Sequence, residues 1–133
     1  MELKIKYTHE DSYRLKVIKK GDWIDLAIDE DISVNQGGVV KVPLGVAMKL
    51  PEGVEAHILP RSSTFGKTGL LLTNSMGVID NSYSGDNDEW GAMFYATRPV
   101  FVERGTRLLQ VRLVDTQSTM FGPVEFNEVN KLE

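Results

Sequence analysis

The apolar positions fall in short runs, several with period two, separated by Gly, Pro, Asn, Asp and Ser. LKIKY (3–7) alternates strictly, WIDLAI (23–28) is a compact run, and GGVVKVPLGVAMKLP (37–51) reads as two strands divided near Pro43. Further strands are expected at VEAHILP (54–60), GLLLTNS (69–75), AMFYAT (92–97), VFVE (100–103) and RLLQVRLV (107–114). No window carries a 3.6-residue apolar period over three turns. At most one short helix is therefore expected, around RSSTFGK, with Ser62 or Ser63 as its cap. Many short strands at regular spacing specify an all-β sandwich, barrel or jelly roll. From Thr116 onward the chain turns polar, and its last residues are expected to be mobile.

Composition narrows the function classes. With 133 residues, 41% of them hydrophobic, the chain is expected to form one domain, 1–133, with a real core. A net charge of -4 and a pI near 5.2 argue against nucleic-acid binding by general electrostatics, so an anionic ligand must meet a local basic cluster. The absence of cysteine excludes disulfides, thiolate metal sites and Cys nucleophiles. The two histidines, His9 and His57, belong to no HExxH or GxSxG pattern and are expected to be structural or at the surface. FGKTG is not a phosphate loop: the first glycine of that motif would have to stand at Arg61. No signal-like or membrane-length apolar run occurs, which predicts a soluble cytoplasmic chain with no membrane contact.

Three polar stretches could carry chemistry. In PRSS, Arg61 and two hydroxyls stand at a chain turn, suited either to phosphate oxygens or to capping a helix beside a surface Arg. In GVIDNSYSG (77–85), Asp80 is either an Asx-turn residue or a general base in a hairpin between two strands, ionised near neutrality. In ERGTRLLQV (103–111), Gln110 and Arg107 are either ordinary strand polar residues after a turn or groups near a phosphate chain and its hydrated metal.

Taken together, GDWIDL, PRSS, TNSMGVIDNSYSG and RGTRLLQV occur in this order over about residues 21–111 and resemble the trimeric dUTP pyrophosphatase (dUTPase) family. The resemblance implies a distorted jelly roll of the β-clip type, a homotrimer with active sites at subunit interfaces, and hydrolysis of dUTP to dUMP and pyrophosphate with Mg2+ on the triphosphate. It implies Asp80 as the base that activates water for attack on the α-phosphorus. Tyr83 would pack on the deoxyribose and clash with a 2'-hydroxyl. The backbone at Gly77 and Val78, with the side chain of Asn74, would read uracil. Arg61, Ser62, Ser63 and Gln110 would hold phosphate oxygens, and Asp25 would touch the magnesium through water.

The stretch also departs from the family pattern. The Gly-rich fifth motif, of the form RGxxGFGSTG, does not occur in these residues, and Thr106 stands where an Asp is common. GDNDEWGAM (85–93) resembles the Gram-positive bacterial and phage members, and Trp90 within it is either a cover over the nucleotide or a partly buried aromatic at a subunit contact. Two other functions share this fold: a nucleotide-responsive regulatory protein with a protein partner, as in a phage-borne chain, and dCTP deaminase. The deaminase needs a Glu on the strand AMFYAT, which has none.

Overall fold

The computed structural model describes residues 1–16 and 19–133, and the elements below are those of the described residues. The fold is all-β and every strand pairing is antiparallel. β1 (Lys4–Tyr7) pairs with β5 (Val46–Lys49), and β3 (Ile32–Val34) with β10 (Val100–Val102). β2 (Ile24–Ala27), β11 (Arg107–Asp115), β6 (Val54–Pro60) and β8 (Gly77–Ile79) form a four-stranded sheet in that order. β4 (Val39–Pro43), β9 (Gly91–Ala96) and β7 (Leu70–Leu72) form a three-stranded one.

One apolar cluster joins the sheets. Leu26, Leu109 and Ile58 enter it from the four-stranded sheet, Val42, Phe94 and Leu70 from the three-stranded one, all 3% exposed or less. Each such side chain contributes about 1.5–3 kcal/mol on leaving water. In β9 the alternation is complete: Ala92, Phe94 and Ala96 are buried, while Gly91, Met93 and Tyr95 are exposed. The two strands expected in residues 37–51 separate at Leu44 and Gly45, where Gly45 adopts φ +75 and a Cβ would lie 2.9 Å from Cγ of Asp29. Only glycine suits that reversal.

Asp29 is buried and organises the N-terminal segment. Its carboxylate accepts from Ser12 Oγ at 3.2 Å and Arg104 Nη2 at 2.9 Å, and meets His9 Nδ1 at 2.7 Å. Burial pushes its pKa up, but the bonds from His9, Arg104 and Ser12 outweigh that and hold it below the ordinary value. Arg104 also forks onto Asp11, lowering that carboxyl to about 2. His57 pairs with Glu55 at 2.5 Å.

Two short helices are present where at most one was expected. In α1 (Thr64–Thr68), Ser63 holds the N-cap position but its hydroxyl makes no capping bond. Thr64 Oγ1 instead donates to the Leu108 carbonyl at 2.6 Å, anchoring the turn to β11. The unexpected α2 (Gln117–Phe121) is capped by Thr116, whose side chain accepts from the Thr119 N–H. It buries no residue, so it leaves no apolar period in the sequence.

Candidate active site

The segment around Asp80 is not a hairpin. β8 pairs with β6, with Ile58 opposite Gly77 and Ala56 opposite Ile79, whereas β9 pairs with β4 and β7. The chain between Asp80 and Trp90 therefore crosses from the four-stranded to the three-stranded sheet. It opens a cleft of about 620 Å³ whose walls include Asn74, Gly77, Val78, Asp80, Tyr83 and Trp90. The turn before β8 is tight: Met76 N donates to Asn74 O at 2.6 Å, and Ser75 adopts φ 63. At Gly77 a Cβ would stand 3.3 Å from Cβ of Ile58, so the glycine lets the backbone lie close against β6.

Both readings of Asp80 hold at once. Its Oδ1 accepts from the Ser82 N–H at 2.9 Å and from the Ser82 hydroxyl at 2.5 Å, an Asx turn. Among the described residues no protein donor reaches Oδ2. The Ser82 hydroxyl, and then its N–H, lower the Asp80 pKa, so the exposed carboxylate stays ionised well below neutrality. Tyr83 presents a half-exposed ring to the cleft and donates its hydroxyl to the Glu89 carbonyl at 2.9 Å. Trp90 corrects the sequence reading: at 1% exposure it belongs to the core and forms the inner wall of the cleft, neither a cover nor a partly exposed contact residue. Its large apolar ring is better accommodated between the sheets than over a water-filled opening.

A second group gathers where β2, β11 and the end of β6 meet. Asp25 lies opposite Gln110, which lies opposite Leu59. Asp25 Oδ1 pairs with Arg61 Nε at 3.1 Å and Oδ2 with Arg107 Nη1 at 3.2 Å, while Gln110 Nε2 donates to Pro60 O at 3.2 Å. A register shift in β11 between Arg107 and Leu109 turns the Leu108 carbonyl toward the Arg61 N–H, at 3.1 Å. That bulge sets Arg61 beside Arg107. Both line a cavity of about 320 Å³ with Ser63, Lys67 and Thr106. Ser62 is exposed outside it. Lys67 entered the sequence reading only within the expected helix RSSTFGK and the rejected FGKTG pattern, because nothing in the spacing showed that it would line the same cavity as Arg61. Thr106 closes the Arg-Gly turn by donating to Glu103 O at 2.6 Å.

These two groups do not meet within one chain. The register places Asp80 beside Glu55 at one end of β6, and Arg61 follows Pro60 at the other. At about 3.3 Å per residue, six residues separate them by about 20 Å, several times the span of one phosphate group. Among the described residues no three His, Cys, Asp or Glu gather as a metal site, and no helix is long and apolar enough to cross a membrane. A single carboxylate already flanked by two arginines suits a magnesium ion that keeps its water and arrives with phosphate, and does not suit a protein cage.

Comparison with known proteins identifies the family. The family model described as dUTPase matches residues 23–133. The chain is 46% identical over 132 residues, covering 99% of it and 90% of its counterpart, to an SPbeta prophage-derived deoxyuridine 5'-triphosphate nucleotidohydrolase of Bacillus subtilis. It is 34% identical over 89 residues to the deoxyuridine 5'-triphosphate nucleotidohydrolase of Desulfitobacterium hafniense, spanning 58% of that longer protein. Its fold superposes on a mutant dUTPase from phage phi11 of S. aureus, described with a structural Mg(II) ion, at TM-score 0.80 and 17% identity, covering 99% of each chain. The chain belongs to the dUTPase family.

Proposed function

We propose that this dUTPase hydrolyses dUTP to dUMP and pyrophosphate at a site shared between copies, the Asp80 cleft of one subunit facing the Arg61–Asp25–Arg107 cluster of its neighbour. The observation that carries the reading is the state of Asp80: an ionised carboxylate at the cleft, one oxygen committed to Ser82 and the other without a protein partner among the described residues. The free Oδ2 orients a water and accepts its proton as the water attacks the α-phosphorus. Ser82 holds the carboxylate in place, so little reorganisation accompanies the attack.

The uracil end is read by main-chain groups at Gly77 and Val78 and by Asn74, and a pocket fitted to uracil there refuses the thymine methyl. The Tyr83 ring packs on the deoxyribose and leaves no room for a 2'-hydroxyl. Arg61, Ser62, Ser63 and Gln110 bind phosphate oxygens, and Arg107 and Lys67 add positive charge beside them. Asp25 pairs with Arg61 and Arg107 and would hold the hydrated magnesium through water. When bound, magnesium would supply charge neutralisation on the triphosphate, from which pyrophosphate leaves as the water oxygen bonds to the α-phosphorus.

A homotrimer accounts for the separation of Asp80 from Arg61. Such an assembly would also cover the exposed row of Val39, Tyr95 and Leu71 on the three-stranded sheet. This reading puts the work in the cytoplasm, in a single dUTPase-like domain over residues 1–133. The deaminase reading lacks its carboxylate, since β9 carries none. The test is pyrophosphate release from dUTP, dTTP, dCTP and UTP with magnesium, by this chain and by Asp80→Asn. Selective release from dUTP that collapses in the variant is expected. Equal turnover by the variant would remove Asp80 from the chemistry.

A further inference from the structure

We propose that Glu89 is a positioning residue for sugar selectivity, holding the hydroxyl of Tyr83 through its own peptide carbonyl and fixing that carbonyl with its carboxylate. The inference rests on the reading of Tyr83 as the gate against ribose.

The geometry begins at the peptide between Glu89 and Trp90. Its N–H donates to Val46 O at 2.8 Å. In a trans peptide the C=O points the opposite way, and here it points at Tyr83, whose hydroxyl donates to Glu89 O at 2.9 Å. One peptide plane thus joins the gate ring to β5. The plane is clamped on both sides. Beyond it, Leu44 N donates to Trp90 O at 2.9 Å, and the buried Trp90 ring locks that residue. Before it, the Glu89 carboxylate is the anchor: Oε2 accepts from the Gly45 N–H and from the Thr8 hydroxyl, each at 3.2 Å.

The anchor has firm ground beneath it. Gly45 sits in its left-handed reversal against Asp29, and Thr8 N donates to Gly45 O at 3.0 Å. Thr8 Oγ1 also lies 3.4 Å from Asp29 Oδ2. The buried Asp29 cluster therefore supports the Glu89 side chain, which supports the carbonyl that receives Tyr83. Without the hydroxyl bond the ring, at the exposed tip of the crossing segment, is free to swing from the sugar. A bulky aromatic excludes a 2'-hydroxyl only while it stays in place.

The experiment compares kcat/KM for dUTP and UTP in wild type, Tyr83→Ala, Tyr83→Phe, Glu89→Ala, Glu89→Gln and the Tyr83→Phe/Glu89→Ala double variant. Loss of one hydrogen bond predicts that Tyr83→Phe and Glu89→Ala each lower the dUTP/UTP ratio by about three- to tenfold. The double variant falls no further than either single one, because both break the same tie. Glu89→Gln restores the ratio, since its amide oxygen accepts the same two bonds. If Tyr83→Ala abolishes selectivity while Tyr83→Phe and Glu89→Ala keep the wild-type ratio, the positioning role is overturned and the gate stands. Additive losses in the double variant overturn it equally. If Tyr83→Ala itself keeps the ratio, the gate reading falls, and the role of Glu89 with it. Tyr83→Phe retains the ring and reads the hydroxyl alone, so the test survives a Glu89→Ala variant that fails to fold.

Discussion

The two halves of the site are built by different physics. At the proposed nucleoside end, recognition would lie in backbone placement: Gly77 lies close against β6, and the Asx turn at Asp80 and the peptide that receives Tyr83 are held by hydrogen bonds beside the buried Trp90. At the proposed phosphate end, Arg61, Arg107 and Lys67 are side chains at a rim, the two arginines held by one partly exposed carboxylate. The first half is pre-organised and indifferent to salt. The second is a set of charges waiting for a polyanion, and it loses strength as ions screen it. Selectivity and grip are thus separable in this chain, and substitutions should separate them.

The largest expected effect is at the reacting water. Asp80→Asn removes the proton acceptor while its Oδ1 still accepts from Ser82, so kcat should fall by about 10²–10⁴-fold. Binding of a non-hydrolysable dUTP analogue should persist, as read by calorimetry. A parallel loss of binding would mean that Asp80 holds substrate more than it activates water.

Next is the wall that both sheets share. Trp90→Ala empties a large site in the core and should destabilise the fold by about 3–5 kcal/mol, measured by urea denaturation. A loss under about 1 kcal/mol would place the ring outside the core and revive the idea of a cover over the nucleotide.

A smaller effect is expected at the rim. Arg61→Ala should raise KM for dUTP about tenfold, the scale of one charge-assisted bond, with the dUTP/UTP ratio unchanged. Added salt should raise KM in wild type and do so less steeply in the variant. A change in base or sugar selectivity would show that the two halves are not independent.

The same contrast explains what was legible in the sequence. Strand positions were, because β9 alternates fully and the runs at residues 54–60 and 107–114 are long enough to show their pattern. The three-residue β3 and the helix α2 were not: neither is long enough for a period to emerge. The polar stretches of the candidate site stood out by residue type, but pairing is not written in type. Nothing local says that β8 leaves β9 for β6, so Asp80 looked like a hairpin residue. Trp90 sits among acids and glycines in GDNDEWGAM, and only the meeting of two sheets makes it core. Lys67 and Glu89 did not stand out for a related reason: each meets partners distant in sequence, Lys67 sharing a cavity with the start of β11 and Glu89 accepting from Gly45.

The smallest expected effect is also the most specific to the nucleoside end. The Ser82 hydroxyl and N–H hold the Asp80 pKa below the ordinary carboxylate value of about 3.9. On the proposed role of Asp80 the ionised form is the active one, so kcat should stay level as pH falls from neutrality and decline only below that ordinary value. Ser82→Ala removes the hydroxyl donor and leaves the backbone N–H in place, so the pKa rises toward the unperturbed value and the acid limb moves to higher pH. The plateau at neutral pH should change little, since Asp80 is ionised there in both proteins. A kcat profile for the two chains from about pH 3.5 to 7 measures the displacement against the ordinary carboxylate range. A limb that moves the other way, or that stays put while the plateau drops, would mean that Ser82 orients Asp80 without tuning its charge, and the pre-organisation of this half would then be purely geometric.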